Sequence, residues 1–154
     1  MTKDVLISIS GLQYEVDENE TVEVVTPGNY YYKNNKHYLL YDEYLDETSN
    51  EVTKNKMIIS GNQISIIKSG ATSVQMQFEP GKESISYYST PFGQLEIGFS
   101  TSKVNTNYDP DLIDINIHYG LSINRSHISD CRISMQVKPM KSGMSVKEEI
   151  TSQI

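Results

Sequence analysis

The chain has no tryptophan, a single cysteine (Cys131) and no long apolar run. One cysteine excludes an internal disulfide and any metal site built from several cysteines. Because no stretch approaches the roughly 18 apolar residues of a transmembrane helix, we expect no membrane partner. The N-terminal residues alternate at once between polar and apolar, unlike a secretory signal peptide. We therefore expect a cytoplasmic protein.

The chain also has few basic residues, with 13 Lys and Arg against 20 Asp and Glu among its 154 residues and a net charge of -7. Nucleic-acid-binding proteins usually carry a basic face or stripe, and here the basic residues are scattered along the sequence. We expect no nucleic-acid partner on this basis. The length suits one domain with a core large enough to need no metal or disulfide.

Period-two alternation is the dominant pattern, and the segment 112–123 shows it best. A strand places alternate side chains on opposite faces, whereas a helix repeats every three or four residues. The apolar face of this segment comprises Ile113, Ile115, Ile117, Tyr119, Leu121 and Ile123. We predict that these side chains are buried and that Asp114, Asn116 and His118 on the other face are exposed.

Similar runs recur along the chain and are separated by turn-forming residues. Gly61-Asn62 and Asn34-Asn35 suit two-residue hairpins, Pro80-Gly81 suits a type II turn, and Thr90-Pro91-Phe92-Gly93 suits a type I turn. The predicted extended segments are 4–14, 20–26, 29–33, 36–45, 51–60, 63–69, 73–79, 83–89, 93–102 and a hairpin over 111–138. Pro27-Gly28 predicts a bend, bulge or edge position, because proline cannot donate to a ladder.

The short connections predict an all-β fold, a closed antiparallel up-and-down β-barrel of about eight to ten strands. Only residues 103–110 are predicted to form a longer loop. Alternation stops after Pro139. We therefore assign residues 1–138 to the barrel domain and residues 139–154 to a C-terminal tail that is a short helix or disordered.

Three stretches resemble a known family. They are the opening Lys3-Asp4-Val5-Leu6-Ile7-Ser8-Ile9, the pair Lys68-Ser69-Gly70 and Met76-Gln77-Phe78, and the block Ser86-Tyr87-Tyr88-Ser89-Thr90-Pro91-Phe92-Gly93-Gln94-Leu95-Glu96-Ile97-Gly98. In this order they resemble the YwiB-like family of small bacterial proteins, a domain of unknown function. The resemblance implies a calycin-like, lipocalin-type barrel and no catalytic residues. Kinship with calycins suggests a small apolar ligand, which is an analogy from fold alone.

The residues that most often carry chemistry form no catalytic or metal-binding pattern. His37, His118 and His127 show no spacing that brings two of them onto one face. Cys131 alternates with Ile133 and Met135, so it is expected to behave as a small apolar side chain. The acidic residues of 42–47 are interpreted as solvated loop charge. We predict no catalytic residue, no metal and no cofactor.

Tyrosine is the unusual feature, with 11 Tyr against 3 Phe. Tyrosine packs well across strands, so most of these residues are expected to have structural roles. The functional alternative is a pocket with apolar walls and a few hydroxyl groups. The candidate ligand-binding residues are Tyr119, which shares the apolar face of 112–123, then Tyr87, which shares a phase with Ile85, and Tyr38, whose phase is ambiguous.

Three functional hypotheses remain open. The first is a non-enzymatic barrel that binds a small apolar or amphipathic molecule in its interior. The second is a protein-interaction module whose barrel is filled by side chains, and the third is an enzyme with acidic or histidine residues at the barrel mouth. A barrel of about eight strands is either just filled or holds one small ligand, so the sequence does not decide between the first two. It also leaves the oligomeric state open.

Overall fold

The structure, a computed structural model, describes residues 2–11, 23–44, 52–70 and 73–140. These residues form ten strands: β1 (Asp4–Ser10), β2 (Glu23–Lys33), β3 (Lys36–Tyr44), β4 (Val52–Ser60), β5 (Gln63–Ser69), β6 (Val74–Phe78), β7 (Glu83–Thr90), β8 (Gly93–Asp109), β9 (Leu112–Ile123) and β10 (Ser126–Pro139). Within these ranges no helix has the length and hydropathy to cross a bilayer. The predicted tail from 141 onward lies outside the described residues.

The strands form one antiparallel sheet that curls into a nearly closed barrel. The sheet order is β6-β5-β4-β3-β2-β1-β10-β9-β8-β7, so each strand lies beside its neighbours in sequence and β1 pairs with β10. The strands β6 and β7 approach each other without a hydrogen-bonded ladder in the described residues. The predicted up-and-down barrel is confirmed, with ten strands.

Two of the predicted strand boundaries are wrong. The segments 20–26 and 29–33 belong to one strand, β2, which runs through Pro27. The ladder between β2 and β3 begins at Asn29, two residues after Pro27. The backbone N–H that Pro27 lacks is therefore not needed to pair with β3. The predicted loop 103–110 is mostly strand, because β8 continues to Asp109. A bulge between Thr101 and Lys103 changes the phase of β8, which conceals the alternation in the sequence.

The predicted hairpin turns are present. Asn34 and Asn35 have positive φ values of 55° and 62°, and Gly61 has a φ of 59°. These conformations suit the tight turns that match strand twist. Gly81 has a φ of 79°, and the Lys82 N–H donates to the Glu79 carbonyl at 3.1 Å, as in a type II turn.

The inner face of the barrel carries a continuous apolar core. Of the six residues predicted to be buried on β9, all but Ile123 are buried, and Ile123 at the strand end is half-buried. Asp114, Asn116 and His118 face outward as predicted but are half-buried, because β8 and β10 flank them on both sides. Cys131 packs against the core. The register of β9 is therefore the predicted one.

Three aromatic rings fill the core between β6, β8 and β9. The Phe78 ring centroid lies 5.0 Å from Tyr119 and 5.6 Å from Phe99, and the Phe99 and Tyr119 centroids are 5.9 Å apart. These are favourable edge-type and tilted contacts. The part of the barrel interior around Tyr119 is therefore occupied by side chains.

Candidate functional site

Polar side chains interrupt the apolar inner face where β3 ends and β4 begins. We define the interior polar cluster as Tyr41, Glu43, Thr53, Asn55 and Lys68. Tyr41 lies opposite Asn55 across β3 and β4, and Glu43 lies opposite Thr53. Asn55 in turn lies opposite Lys68 on β5. Alternation places all five side chains on the inner face, on three adjacent strands.

An ion pair forms one side of this cluster. The Lys68 Nζ lies 3.0 Å from the Glu43 Oε1, and the side chains are only 10% and 26% exposed. Burial, and then the nearby Glu43 carboxylate, raises the pKa of the Tyr41 hydroxyl far above its ordinary value. Tyr41 therefore keeps its proton at physiological pH and acts as a hydrogen-bond donor.

Two atoms of the cluster are buried and have no hydrogen-bond partner among the described residues. They are the Tyr41 hydroxyl oxygen and the Asn55 Oδ1, on side chains that are 6% and 2% exposed. The Asn55 Nδ2 donates to the Thr53 carbonyl at 3.3 Å, which leaves Oδ1 as an acceptor. Buried polar groups are nearly always paired, so two such atoms on directly opposite residues give this part of the interior hydrogen-bonding capacity that the described residues do not use.

The residues one position deeper in the barrel are apolar and include two methionines. Met57 follows Asn55 on the inner face of β4, and Met76 follows Val74 on that of β6. Methionine adapts its shape to neighbouring groups more readily than branched side chains do. The cluster thus combines hydrogen-bonding groups at the barrel end with an adaptable apolar layer beneath them.

Of the three candidate tyrosines, only Tyr119 faces the interior. It is 8% exposed and packs against Phe78 and Phe99, so it lies in the filled part of the core. The predicted inward phase of Tyr87 is wrong: its side chain is 58% exposed and Ser86 is buried instead. Ser84 and Ser86 lie at inward positions of β7 while Ile85 lies outward, so the apolar pattern of the sequence indicates the wrong face.

Tyr38 lies on the outer face of the barrel. It shares this face with Leu40, so the interpretation in which Leu40 and Tyr38 both face inward is wrong. Leu39 and Tyr41 are the buried neighbours, and the Tyr38 ring lies beneath the ammonium groups of Lys33 and Lys56. The structure therefore does not bring Tyr38, Tyr87 and Tyr119 together.

A histidine and three tyrosines lie at the opposite end of the barrel. The Tyr30 hydroxyl and the His37 Nδ1 are 2.7 Å apart, and the His37 ring stacks on Tyr108 with centroids 4.4 Å apart and planes 8° from parallel. The Tyr32 ring centroid lies 4.7 Å from that of His37. Burial lowers the pKa of His37. These contacts join the β2–β3 hairpin to the end of β8.

The outer face of β7, β8 and β9 carries a groove of about 530 Å³. Gly98 and Gly120 line it, and Glu96 at its edge accepts a hydrogen bond from the Arg125 Nε at 3.3 Å. No buried polar atom without a partner lies on its described lining. Nor do the described residues contain a group of three or more His, Cys, Asp or Glu side chains placed to hold a metal ion.

Sequence reasoning missed the interior polar cluster. Glu43 was interpreted as solvated loop charge, yet it faces inward and pairs with Lys68. The alternation Leu39, Tyr41, Glu43 is present in the sequence, but Leu40 beside it conceals the phase. The sequence does not predict that Asn55 and Lys68 face inward. Inward positions are recognised by apolar residues, and a polar residue at such a position only interrupts that pattern.

Comparison with known proteins places the chain among small β-barrels. The family model described as "Domain of unknown function (DUF1934)" matches residues 7–135. The "Uncharacterized beta-barrel protein YwiB" of Bacillus subtilis (strain 168) is 30% identical over 121 residues, which cover 76% of this chain and 82% of that protein. The crystal structure of the ywiB protein from Bacillus subtilis superposes with a TM-score of 0.73 at 24% identity, covering 90% of this chain and 93% of that one. At this identity the structural likeness supports the fold alone.

Proposed function

The chain belongs to the family described as domain of unknown function DUF1934, and we propose that its barrel binds a small amphipathic molecule at the interior polar cluster. The observation that supports the proposal is that the buried donor of Tyr41 and the buried acceptor of Asn55, on directly opposite residues, have no partner among the described residues. Leaving such groups unpaired costs about 1–3 kcal/mol each. A ligand that pairs both would recover this free energy on binding.

The hydrogen-bonding roles of Tyr41 and Asn55 favour one kind of polar group in the ligand. Tyr41 needs an acceptor and Asn55 needs a donor, so one group that both accepts and donates hydrogen bonds serves both. Alcohols and primary amides have this property, whereas methyl esters only accept. The apolar part of the ligand would contact Met57 and Met76. It must be short, because Phe78, Phe99 and Tyr119 occupy the interior beyond.

A thermal-shift series with one alkyl chain and different head groups tests the proposal. The probes are hexanol, hexanamide and methyl hexanoate. We expect hexanol and hexanamide to raise the melting temperature and methyl hexanoate to have a smaller effect. A probe at a free concentration of one hundred times its dissociation constant raises the free energy of unfolding by about 2.7 kcal/mol. No shift with any of the three would contradict the proposal.

Two variants test whether the shift in melting temperature arises from binding at the interior polar cluster. Asn55→Leu removes the unpaired acceptor, and we expect it to abolish the shift. The matched control is Thr101→Val, because the Thr101 Oγ1 is also buried with no partner in the described ranges but lies on β8, outside the cluster. Thr101→Val should keep the shift. Equal loss in both variants would indicate a general effect on stability.

A protein-interaction module with a solid barrel is the second candidate. The contacts among Phe78, Phe99 and Tyr119 favour it, because they leave that part of the interior filled. It leads if the probe series gives no shift, since the unpaired atoms of the cluster would then serve no ligand.

A further inference from the structure

Five lysines gather on one outer face of this acidic chain. Lys33 and Lys36 flank the β2–β3 turn, Lys54 and Lys56 project from β4, and Lys3 precedes β1. All five are exposed, and within the described part of the chain none lies in an ion pair. Asp4 and Asp42 are the exposed acids nearest to them in the strand register. Asp42 lies directly opposite Lys54, yet among the described residues this face carries more basic than acidic side chains, although the net charge of the chain is -7.

Two tyrosines lie among these lysines. Tyr31 and Tyr38 are directly opposite each other on β2 and β3, and both face outward. Directly opposite side chains have Cβ atoms about 4.5–5.5 Å apart, so the rings are neighbours on the sheet surface. We call this surface the lysine–tyrosine face and define it by its residues: Lys3, Tyr31, Lys33, Lys36, Tyr38, Lys54 and Lys56.

The lysine ammonium groups are held over the tyrosine rings. The Nζ atoms of Lys33 and Lys56 lie 5.7 Å and 5.6 Å from the Tyr38 centroid. The Lys3 Nζ lies 5.5 Å from the Tyr31 centroid. Cation–π contacts at exposed sites are weak, so an anion can draw these ammonium groups away from the rings. The rings would then be uncovered at the moment that the lysines meet the anion.

We propose that the lysine–tyrosine face binds single-stranded nucleic acid, with bases stacked on Tyr31 and Tyr38 and phosphates held by the surrounding lysines. Sheet surfaces that combine exposed aromatic rings with basic side chains recognise single strands in this way, because every base has a face that can stack. An acidic peptide would satisfy the lysines but would leave the paired tyrosines without a role. The acidic net charge and the scattered basic residues of the sequence predict no nucleic-acid partner. The proposal differs from that prediction because the fold gathers five of these lysines on one face.

Fluorescence anisotropy with a labelled twelve-nucleotide oligothymidine at low salt tests the proposal. Each neutralised phosphate lowers the salt slope by about 0.7, so five lysines give a slope of at most about -3.5. Lys33→Gln with Lys56→Gln should weaken binding and flatten the slope by about 1.4. The matched control is Lys82→Gln with Lys103→Gln, two exposed lysines outside the face, which should leave binding unchanged.

Tyr38→Leu separates stacking from charge. It removes the ring without changing the charge, so we expect about tenfold weaker binding at an unchanged salt slope. A twelve-residue polyglutamate peptide should compete poorly with the oligonucleotide. The proposal is overturned by an absence of binding at low salt. It is also overturned if polyglutamate competes equally and Tyr38→Leu binds like the wild type, because the face would then attract any anion.

Discussion

Tyr41 and Asn55 lie directly opposite each other on the inner faces of β3 and β4, and each buries a polar atom that has no hydrogen-bond partner in the described part of the chain. Cross-strand neighbours of this kind normally pair with each other or with a third group. Here the nearest charged groups, Lys68 and Glu43, pair with each other instead. The interior polar cluster thus has hydrogen-bonding capacity that the described residues do not use.

Tyr41→Phe should stabilise the ligand-free protein. The substitution removes an unpaired buried hydroxyl and keeps the ring, so we expect the free energy of unfolding to rise by about 1 kcal/mol. Urea denaturation provides the measurement. The matched variant is Tyr30→Phe, whose hydroxyl pairs with His37 at 2.7 Å and whose loss should destabilise by about 1 kcal/mol. A loss of stability in Tyr41→Phe would show that the hydroxyl has a partner.

The register of β9 gives a second prediction. Ile117 is fully buried, so Ile117→Ala should lower the free energy of unfolding by about 2–5 kcal/mol. Asn116 faces outward and is half-buried, so Asn116→Ala should change it by roughly half a kcal/mol or less. Denaturant titration of both variants compares them. Equal losses would mean that the two faces of β9 are equally buried.

The sequence predicts the barrel because alternation and turn chemistry are local signals. Residues 112–123 show one apolar face, and Asn34-Asn35 and Gly61-Asn62 mark hairpins that the structure contains. The resemblance to the YwiB-like family is confirmed. The prediction fails where a local signal is interrupted, as at the bulge after Thr101, which makes the extension of β8 look like a loop.

The sequence predicts much less of the site. Tyr119 faces inward as expected, but Tyr87 faces outward, because the inner face of β7 is the one that carries the buried Ser86 and the half-buried Tyr88. Lys68 and Glu43 are 25 residues apart and meet only because β3, β4 and β5 are neighbours. Such a pairing depends on register across strands, which the sequence alone does not fix. Whether Tyr119 contributes to ligand binding stays a prediction.

The free energy of unfolding should depend on pH through His37. Burial lowers the pKa of this residue in the folded state, so the unfolded chain binds a proton more readily. The contribution of His37 is fully present above about pH 6.5, and it is lost as the pH falls from there through the lower folded-state value. We expect His37→Gln to unfold with a shallower pH dependence between about pH 7 and pH 5. Identical profiles for the two proteins would exclude this role.

Truncation of Phe78 should open the filled part of the core. Phe78 is fully buried and contacts both Phe99 and Tyr119, so Phe78→Ala should cost about 3–5 kcal/mol. Denaturant titration gives the value. Phe92→Ala is the control, because that ring is fully exposed, and it should have little effect. A small cost at Phe78 would mean that the interior collapses around the missing ring.

Native mass spectrometry of the protein purified gently from its own cells tests the interior ligand most directly. We expect the wild type to carry a bound molecule of defined mass, Asn55→Leu to lack it, and Thr101→Val to retain it. A wild-type mass equal to that of the chain alone, or the same adduct on Asn55→Leu, would contradict binding at the interior polar cluster.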